Sequence, residues 1–170
     1  MPDKTTPPEG APPEQTAQGA PGAIIKVPDG RYKIYTALDN SKLVNIATTA
    51  DSDHRYRAKL YHDNNAPESL WYFRFLDWIN VYKIQNEWRN NSDLLLDRDN
   101  DNVYARFTVN PSTHEWILKD AGSGFVYIES ALPDSKIMDV ARSNTVDDAG
   151  IIIWPFEGGT NQKFRLLNIN

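Results

Sequence analysis

The residues best equipped for chemistry lie in one stretch, Lys136 to Leu166, which reads KIMDVARSNTVDDAGIIIWPFEGGTNQKFRL. Asp139 sits between apolar neighbours. A loop of turn formers follows, and then an apolar run, Ile151, Ile152 and Ile153, closes on Trp154. A Gly158-Gly159 turn leads to Asn161, Gln162 and the aromatic Phe164. A carboxylate accepts two polar contacts at once, an aromatic face buries C–H surface at little entropic cost, and carboxamides both donate and accept. Such a set is suited to hydrogen bonding and ring stacking, that is, to binding.

Bond-making chemistry has no comparable candidate. The chain has no cysteine, no G-x-S-x-G elbow and no Gly-rich phosphate loop followed by Lys. Carboxylates are numerous, but nothing nominates one pair as acid and base. His54, His62 and His114 are dispersed and lack metal-ligand spacing. The run Asp97-Arg98-Asp99-Asn100-Asp101-Asn102 invites a calcium reading. An EF-hand loop would place Gly sixth and Glu twelfth, where this chain has Asn102 and Thr108, and no helices flank the run. It reads as a polar β-turn. Asn90-Asn91-Ser92 is a glycosylation sequon in form only. The expectation is a binding module, not an enzyme, with no cofactor and no metal.

The elements that must position these residues are short strands. With 170 residues, 40% hydrophobic and 11% aromatic, the chain can build one domain with an aromatic-rich core. A net charge of −5 argues against nucleic acid or an anionic membrane as partner. No run of about 18 apolar residues is present, so nothing is expected to insert in a bilayer. The N-terminus lacks the apolar region of a signal peptide. A cytoplasmic location, or export by a non-classical route, is expected.

Residues 1–23 carry Pro, Gly, Gln, Thr and Glu without an aromatic or a β-branched aliphatic. They are expected to form a disordered spacer, since they cannot bury enough apolar surface to offset ordering entropy. No P-x-x-P with a flanking basic residue marks an SH3-type ligand. From Ile24 onward, short β-like runs are broken by Asn, Asp, Gly and Pro. Gly30 to Tyr35, Lys42 to Ile46, Ala58 to Tyr61 and Leu70 to Phe75 read as strands, and no segment keeps a helical period.

The pattern then recurs. Val81-Tyr82-Lys83-Ile84 echoes Arg31-Tyr32-Lys33-Ile34, and Val126-Tyr127-Ile128 echoes both. Closing aromatics at Trp71, Trp116 and Phe164 are 45 and 48 residues apart, and Ile34, Ile84 and Ile128 are 50 and 44 apart. Three imperfect copies of about four strands each, over about 29–76, 77–120 and 121–170, are too few for a propeller. They suit a threefold barrel capped by hairpins. The predicted fold is therefore all-β, a β-trefoil over 24–170 preceded by the Pro-rich tail.

The third copy resembles a repeat of the ricin B-type lectin family, with its aspartate strand, its aromatic-ended strand and its Q-x-W/F close. The resemblance covers roughly Asp29 to Asn170. It implies that Asp139 accepts from two adjacent sugar hydroxyls, Trp154 stacks on the pyranose, Asn161 bonds a hydroxyl and Gln162 braces the aspartate. Ile152 stands where many members carry Gln. Weaker sites are expected in the other copies. The second keeps Asp97, with Phe107 near the stacking position and Thr113-His114 in place of Asn-Gln. The first has Asn45 for the aspartate, Tyr61 for the aromatic and Glu68-Ser69 for Asn-Gln, which is expected to lose the brace.

The function so implied is a lectin binding glycans or glycoproteins, with galactose or N-acetylgalactosamine favoured and a role in toxicity or defence. Affinity would be raised by several sites, by homo-oligomers or by a toxin partner. Two alternatives stand beside it. One is a protein-binding trefoil such as a protease inhibitor presenting Thr48 to Arg57 or Val109 to Glu115. The other is a receptor-binding component of a toxin assembly with the tail as tether.

Overall fold

A computed structural model of the chain describes residues 22–89, 93–107 and 113–170. Most of the Pro-rich tail, the Asn90-Asn91-Ser92 sequon and the greater part of the Val109 to Glu115 loop lie outside the described residues. Twelve strands follow in order. They are β1 Gly30–Thr36, β2 Lys42–Ile46, β3 Arg55–His62, β4 Trp71–Leu76, β5 Val81–Asn86, β6 Leu94–Arg98, β7 Val103–Phe107, β8 Trp116–Gly122, β9 Phe125–Ser130, β10 Ile137–Val140, β11 Ile151–Trp154 and β12 Phe164–Asn168. The four strands read in the first copy are all present, β1, β3 and β4 with shifted ends.

Pairing explains why three copies suffice. β1 pairs with β4 and β12, β5 with β4 and β8, and β9 with β8 and β12, all antiparallel. Six strands thus close a ring, which leaves none of them a free edge. The remaining strands form three hairpins, β2–β3, β6–β7 and β10–β11. The hairpins meet over one end of the ring through the β3–β7 ladder and the single bridges Lys59–Gly150 and Asn102–Ile152. This arrangement is the β-trefoil.

The core follows the sequence period. Ile34, Ile84 and Ile128, one per copy, are fully buried, as are Trp71, Trp116 and Phe164. Each indole must place its N–H, and both use the same local partner. Trp71 Nε1 donates to Val44 O at 3.0 Å and Trp116 Nε1 to Leu96 O at 2.9 Å. The third copy uses Phe and has no N–H to satisfy. Each of the two indoles therefore ties its closing strand to the second strand of its own copy, where the candidate polar residue lies one position further on.

Two local features refine the sequence reading. Ala23 is already held, because its carbonyl accepts from Asp120 N at 2.8 Å, and Ile25 N donates to Leu118 O at 2.9 Å. Packing of Ile25 against the core accounts for this docking along β8. The acidic run does form a β-turn, between β6 and β7. Asp99 Oδ1 accepts from the backbone of Asp101 at 2.8 Å and Asn102 at 2.7 Å. Arg98, which enters this turn, is buried and forms a two-point ion pair with Asp134, both bonds 2.7 Å.

Candidate functional site

Strand register superimposes the three copies without any choice of alignment. In the third, Asp139 lies opposite Ile152 and Ile137 opposite Trp154. In the first, Asn45 lies opposite Lys59 and Leu43 opposite Tyr61. In the second, Asp97 lies opposite Tyr104 and Leu95 opposite Arg106. A short 3-10 helix supplies the next part of the site, at Thr160–Gln162 in the third copy and Pro67–Ser69 in the first. A turn at Thr113-His114 does so in the second.

The third copy brings all five expected residues together. Asp139 is only 3% exposed. Its Oδ1 accepts from Asn161 Nδ2 and its Oδ2 from Gln162 Nε2, each at 3.0 Å. Gln162 also donates to Pro155 O at 3.0 Å and accepts from the backbone of Glu157 at 2.9 Å and Gly158 at 3.0 Å. One buried amide thereby fixes both the carboxylate and the loop after β11. Gly158 takes a φ of +80°, which favours glycine in that loop. Asn161 is a second brace on Asp139, which leaves its own Oδ1 as the atom open to a ligand. Each carboxylate oxygen retains a lone-pair site beyond its amide bond.

Burial pushes the Asp139 carboxyl above its ordinary range. The bonds from Gln162 and Asn161 counter part of this, and the charge of Glu157 adds to the rise. Trp154 is 47% exposed, and its indole N–H donates to Glu157 Oε1 at 3.1 Å. Ile152 is half-buried beneath the site. Glu157 is a member that the motif reading missed. It both orients the Trp154 ring and shapes the electrostatics of the aspartate. Its signal was the polar Glu157-Gly158-Gly159 turn just after an exposed aromatic.

The second copy differs from expectation. The stacking position belongs to Arg106, not Phe107, because Arg106 pairs with Leu95 while Phe107 lies one residue on, opposite buried Leu94. Strand alternation turns successive side chains to opposite faces, so Phe107 points away from Asp97. Arg106 Nε instead lies 3.5 Å from Asp97 Oδ2 and covers the carboxylate. His114 is buried at the Gln162-equivalent place.

The first copy also differs, in the other direction. A brace is present, since Asn45 Nδ2 donates to the hydroxyl of buried Ser69 at 2.7 Å. The Asp–Gln pair is replaced by a shorter neutral pair, which the family motif does not reveal. Tyr61 occupies the stacking place. Asn45, Ile46, Thr48, Lys59, Tyr61, Asn64 and Glu68 line a cleft of about 180 Å³ above it. Lys59 is ion-paired to Asp148 on the loop between β10 and β11.

No family model matches this chain, and no curated protein does. Solved structures do match. A ricin B-like lectin from Macrolepiota procera in complex with lactose superposes with a TM-score of 0.67 at 14% identity, over 85% of this chain and all of that one. A proteinase inhibitor from Coprinopsis cinerea gives 0.68 at 12% identity, over 85% of this chain and all of that one. A mosquitocidal holotoxin gives 0.75 at 18% identity, over 85% of this chain but 18% of the toxin chain. These proteins have different described roles and one shared architecture. The chain has the β-trefoil fold of the ricin B-like lectins.

Proposed function

We propose that the chain is a carbohydrate-binding module whose principal site is the third copy. The observation that carries this reading is the Asp139 carboxylate, held from both sides by Asn161 and Gln162, beside a half-exposed Trp154 locked by Glu157. A fixed acceptor next to a fixed aromatic face suits a pyranose, which offers adjacent hydroxyls on its edge and C–H groups on one face. Terminal galactose or N-acetylgalactosamine is the favoured ligand. The lactose-bound lectin with the same architecture supports that choice. A single shallow site of this kind is weak, and a millimolar dissociation constant corresponds to about −4 kcal/mol. Functional avidity would come from more than one site or from partners on the same glycan surface. Among the described residues no helix is long and apolar enough to cross a membrane.

A glycan array with the purified chain beside Asp139→Ala tests this. Signal on terminal galactose or N-acetylgalactosamine, lost in a folded variant, is the expected result. Absence of signal on every glycan would remove the lectin reading.

One observation favours a second reading, a trefoil that presents a loop to a protease. The loop between β2 and β3 is exposed yet pre-organised. Asp51 Oδ1 accepts from the backbone of Asp53 and Arg55, both at 2.9 Å, and His54 takes a φ of +59°. A rigid exposed loop binds without an ordering cost. Inhibition in a protease panel, abolished by Asp51→Ala but not by Asp139→Ala, would establish it.

A further inference from the structure

We propose that the outward face of the β4–β5 hairpin binds an acidic saccharide, a chain of pyranose rings that carries carboxylate or sulfate groups. The proposal shares its ligand class with the lectin reading but uses none of the third copy's atoms. Arg74 on β4 lies directly opposite Lys83 on β5, and Tyr72 lies opposite Gln85 further along the same face. β1 continues the face, with Arg31 opposite Tyr72. Like charges set directly across an antiparallel pair destabilise it. Elsewhere on the barrel wall the fold cancels such charges. Lys33, the first-copy counterpart of Lys83, is ion-paired to Asp63 at 2.9 Å. Lys119 follows Trp116 by three residues, as Arg74 follows Trp71, and is ion-paired to Glu129 at 3.0 Å. Arg74 and Lys83 have no ion pair or side-chain hydrogen bond among the described residues. The carboxylates beside the face are engaged. Asp29 Oδ1 accepts from the backbone of Phe75 at 2.9 Å, and Glu87 lies 3.7 Å from Arg31 Nε.

Two cations without a counter-charge call for an anion, and the neighbouring groups select what carries it. The Tyr72 side chain and the Gln85 carboxamide make no side-chain hydrogen bond or ring contact among the described residues. An aromatic ring covers C–H surface, and a carboxamide both donates to and accepts from hydroxyls. Trp78, 78% exposed in the turn that joins the two strands, adds a second ring beyond the cations. Rings at either end with cations between them suit a few linked sugars that bear an anionic group. An acidic peptide fits less well, because β4 and β5 both lie inside the closed ring and offer no free edge for backbone pairing. A nucleic acid carries a charge every ~1.7 Å, and a chain of net charge −5 repels it beyond this face.

The test is a ¹⁵N nuclear magnetic resonance titration of the full chain at physiological salt. The probes are hexasaccharides of hyaluronan, which carries carboxylates only, and of chondroitin sulfate, which carries both groups. Lactose, a glutamate hexapeptide and a thymidine hexanucleotide are the other arms. The Gln85 side-chain amide and the Trp78 indole report the hairpin, and the Trp154 indole reports the third copy. At least one acidic hexasaccharide is expected to shift Gln85 and Trp78 saturably, whereas lactose shifts Trp154 alone. Arg74→Gln should weaken the acidic saccharide at least about tenfold. The same variant should keep the lactose response and should not lower the unfolding midpoint of the free chain, because it removes a like-charge pair. A hairpin response to the acidic saccharide with no Trp154 response to lactose would support this proposal while removing the third-copy reading. Acidic saccharides that shift nothing, or Trp154 alone, would overturn it. Equal binding of the peptide or the oligonucleotide would overturn it too, as would an unchanged affinity in Arg74→Gln.

Discussion

Replacing Gln162 by Leu is the most informative single change in the third copy. Gln162 is fully buried and its amide makes four hydrogen bonds of 2.9 to 3.0 Å. Leucine preserves most of the volume but strands one oxygen of Asp139, the Pro155 carbonyl and two backbone N–H groups. Each buried group left unsatisfied costs about 1–3 kcal/mol. Three of these four lie in a half-buried loop that water can reach, so the low end applies to each. With the buried Asp139 oxygen at about 1–3 kcal/mol, the sum is about 4–6 kcal/mol, offset by about 1 kcal/mol for the better burial of leucine. A net loss of about 3–5 kcal/mol is a large share of the ~5–15 kcal/mol that stabilises a domain. Urea unfolding should show a lower midpoint with an unchanged slope.

Gln162→Glu serves as the companion, because it keeps an acceptor for the two N–H groups but sets a second carboxylate against Asp139. The pair is then held above the ordinary carboxylate range. Stability missing at neutral pH should return as the pH falls and the pair takes up a proton. A loss below about 1 kcal/mol in Gln162→Leu, or a pH-independent Gln162→Glu, would refute the view that this amide organises the site.

Other consequences follow from the same structure. Trp116→Ala should cost about 3–5 kcal/mol in chemical unfolding, since it empties a fully buried site and strands the Leu96 carbonyl. The Arg98 guanidinium holds the Asp134 carboxyl below the usual carboxylate range, so the stability from this pair is present above the ordinary aspartate value and lost as pH falls through the depressed one. Asp134→Asn should cost about 1–3 kcal/mol at neutral pH, less than for a fully buried pair because the carboxylate is partly open to water. Asp139 titrates in the other direction. Its raised value means that glycan binding should fade on acidification at a pH above the ~3.9 of a free aspartate, as a pH series of binding titrations would show. Phe107→Ala should leave glycan binding unchanged and alter stability by no more than about 0.5 kcal/mol, because its ring lies at the exposed end of β7.

The fold was legible because core periodicity survives divergence. Trp71, Trp116 and Phe164 fill one shared core and cannot drift far without leaving cavities, so their spacing records the three copies. The third site was legible for a related reason. Its bracing amide and carboxylate depend on each other, which keeps the motif intact. In the second copy, the stretch between β7 and His114 gave no fixed point for alignment, and one residue of slip exchanged Arg106 for Phe107 and reversed the face. In the first copy, an Asn–Ser hydrogen bond does the work of Asp–Gln with different residue types, so no residue pattern announces it.

The most direct test of the central claim is a crystal structure of the chain grown with lactose. The expected result is the galactose ring stacked on Trp154, with adjacent hydroxyls donating to Asp139 and one hydroxyl on Asn161. Lactose bound elsewhere with the Trp154 face empty, or no bound sugar at saturating concentration, would contradict it.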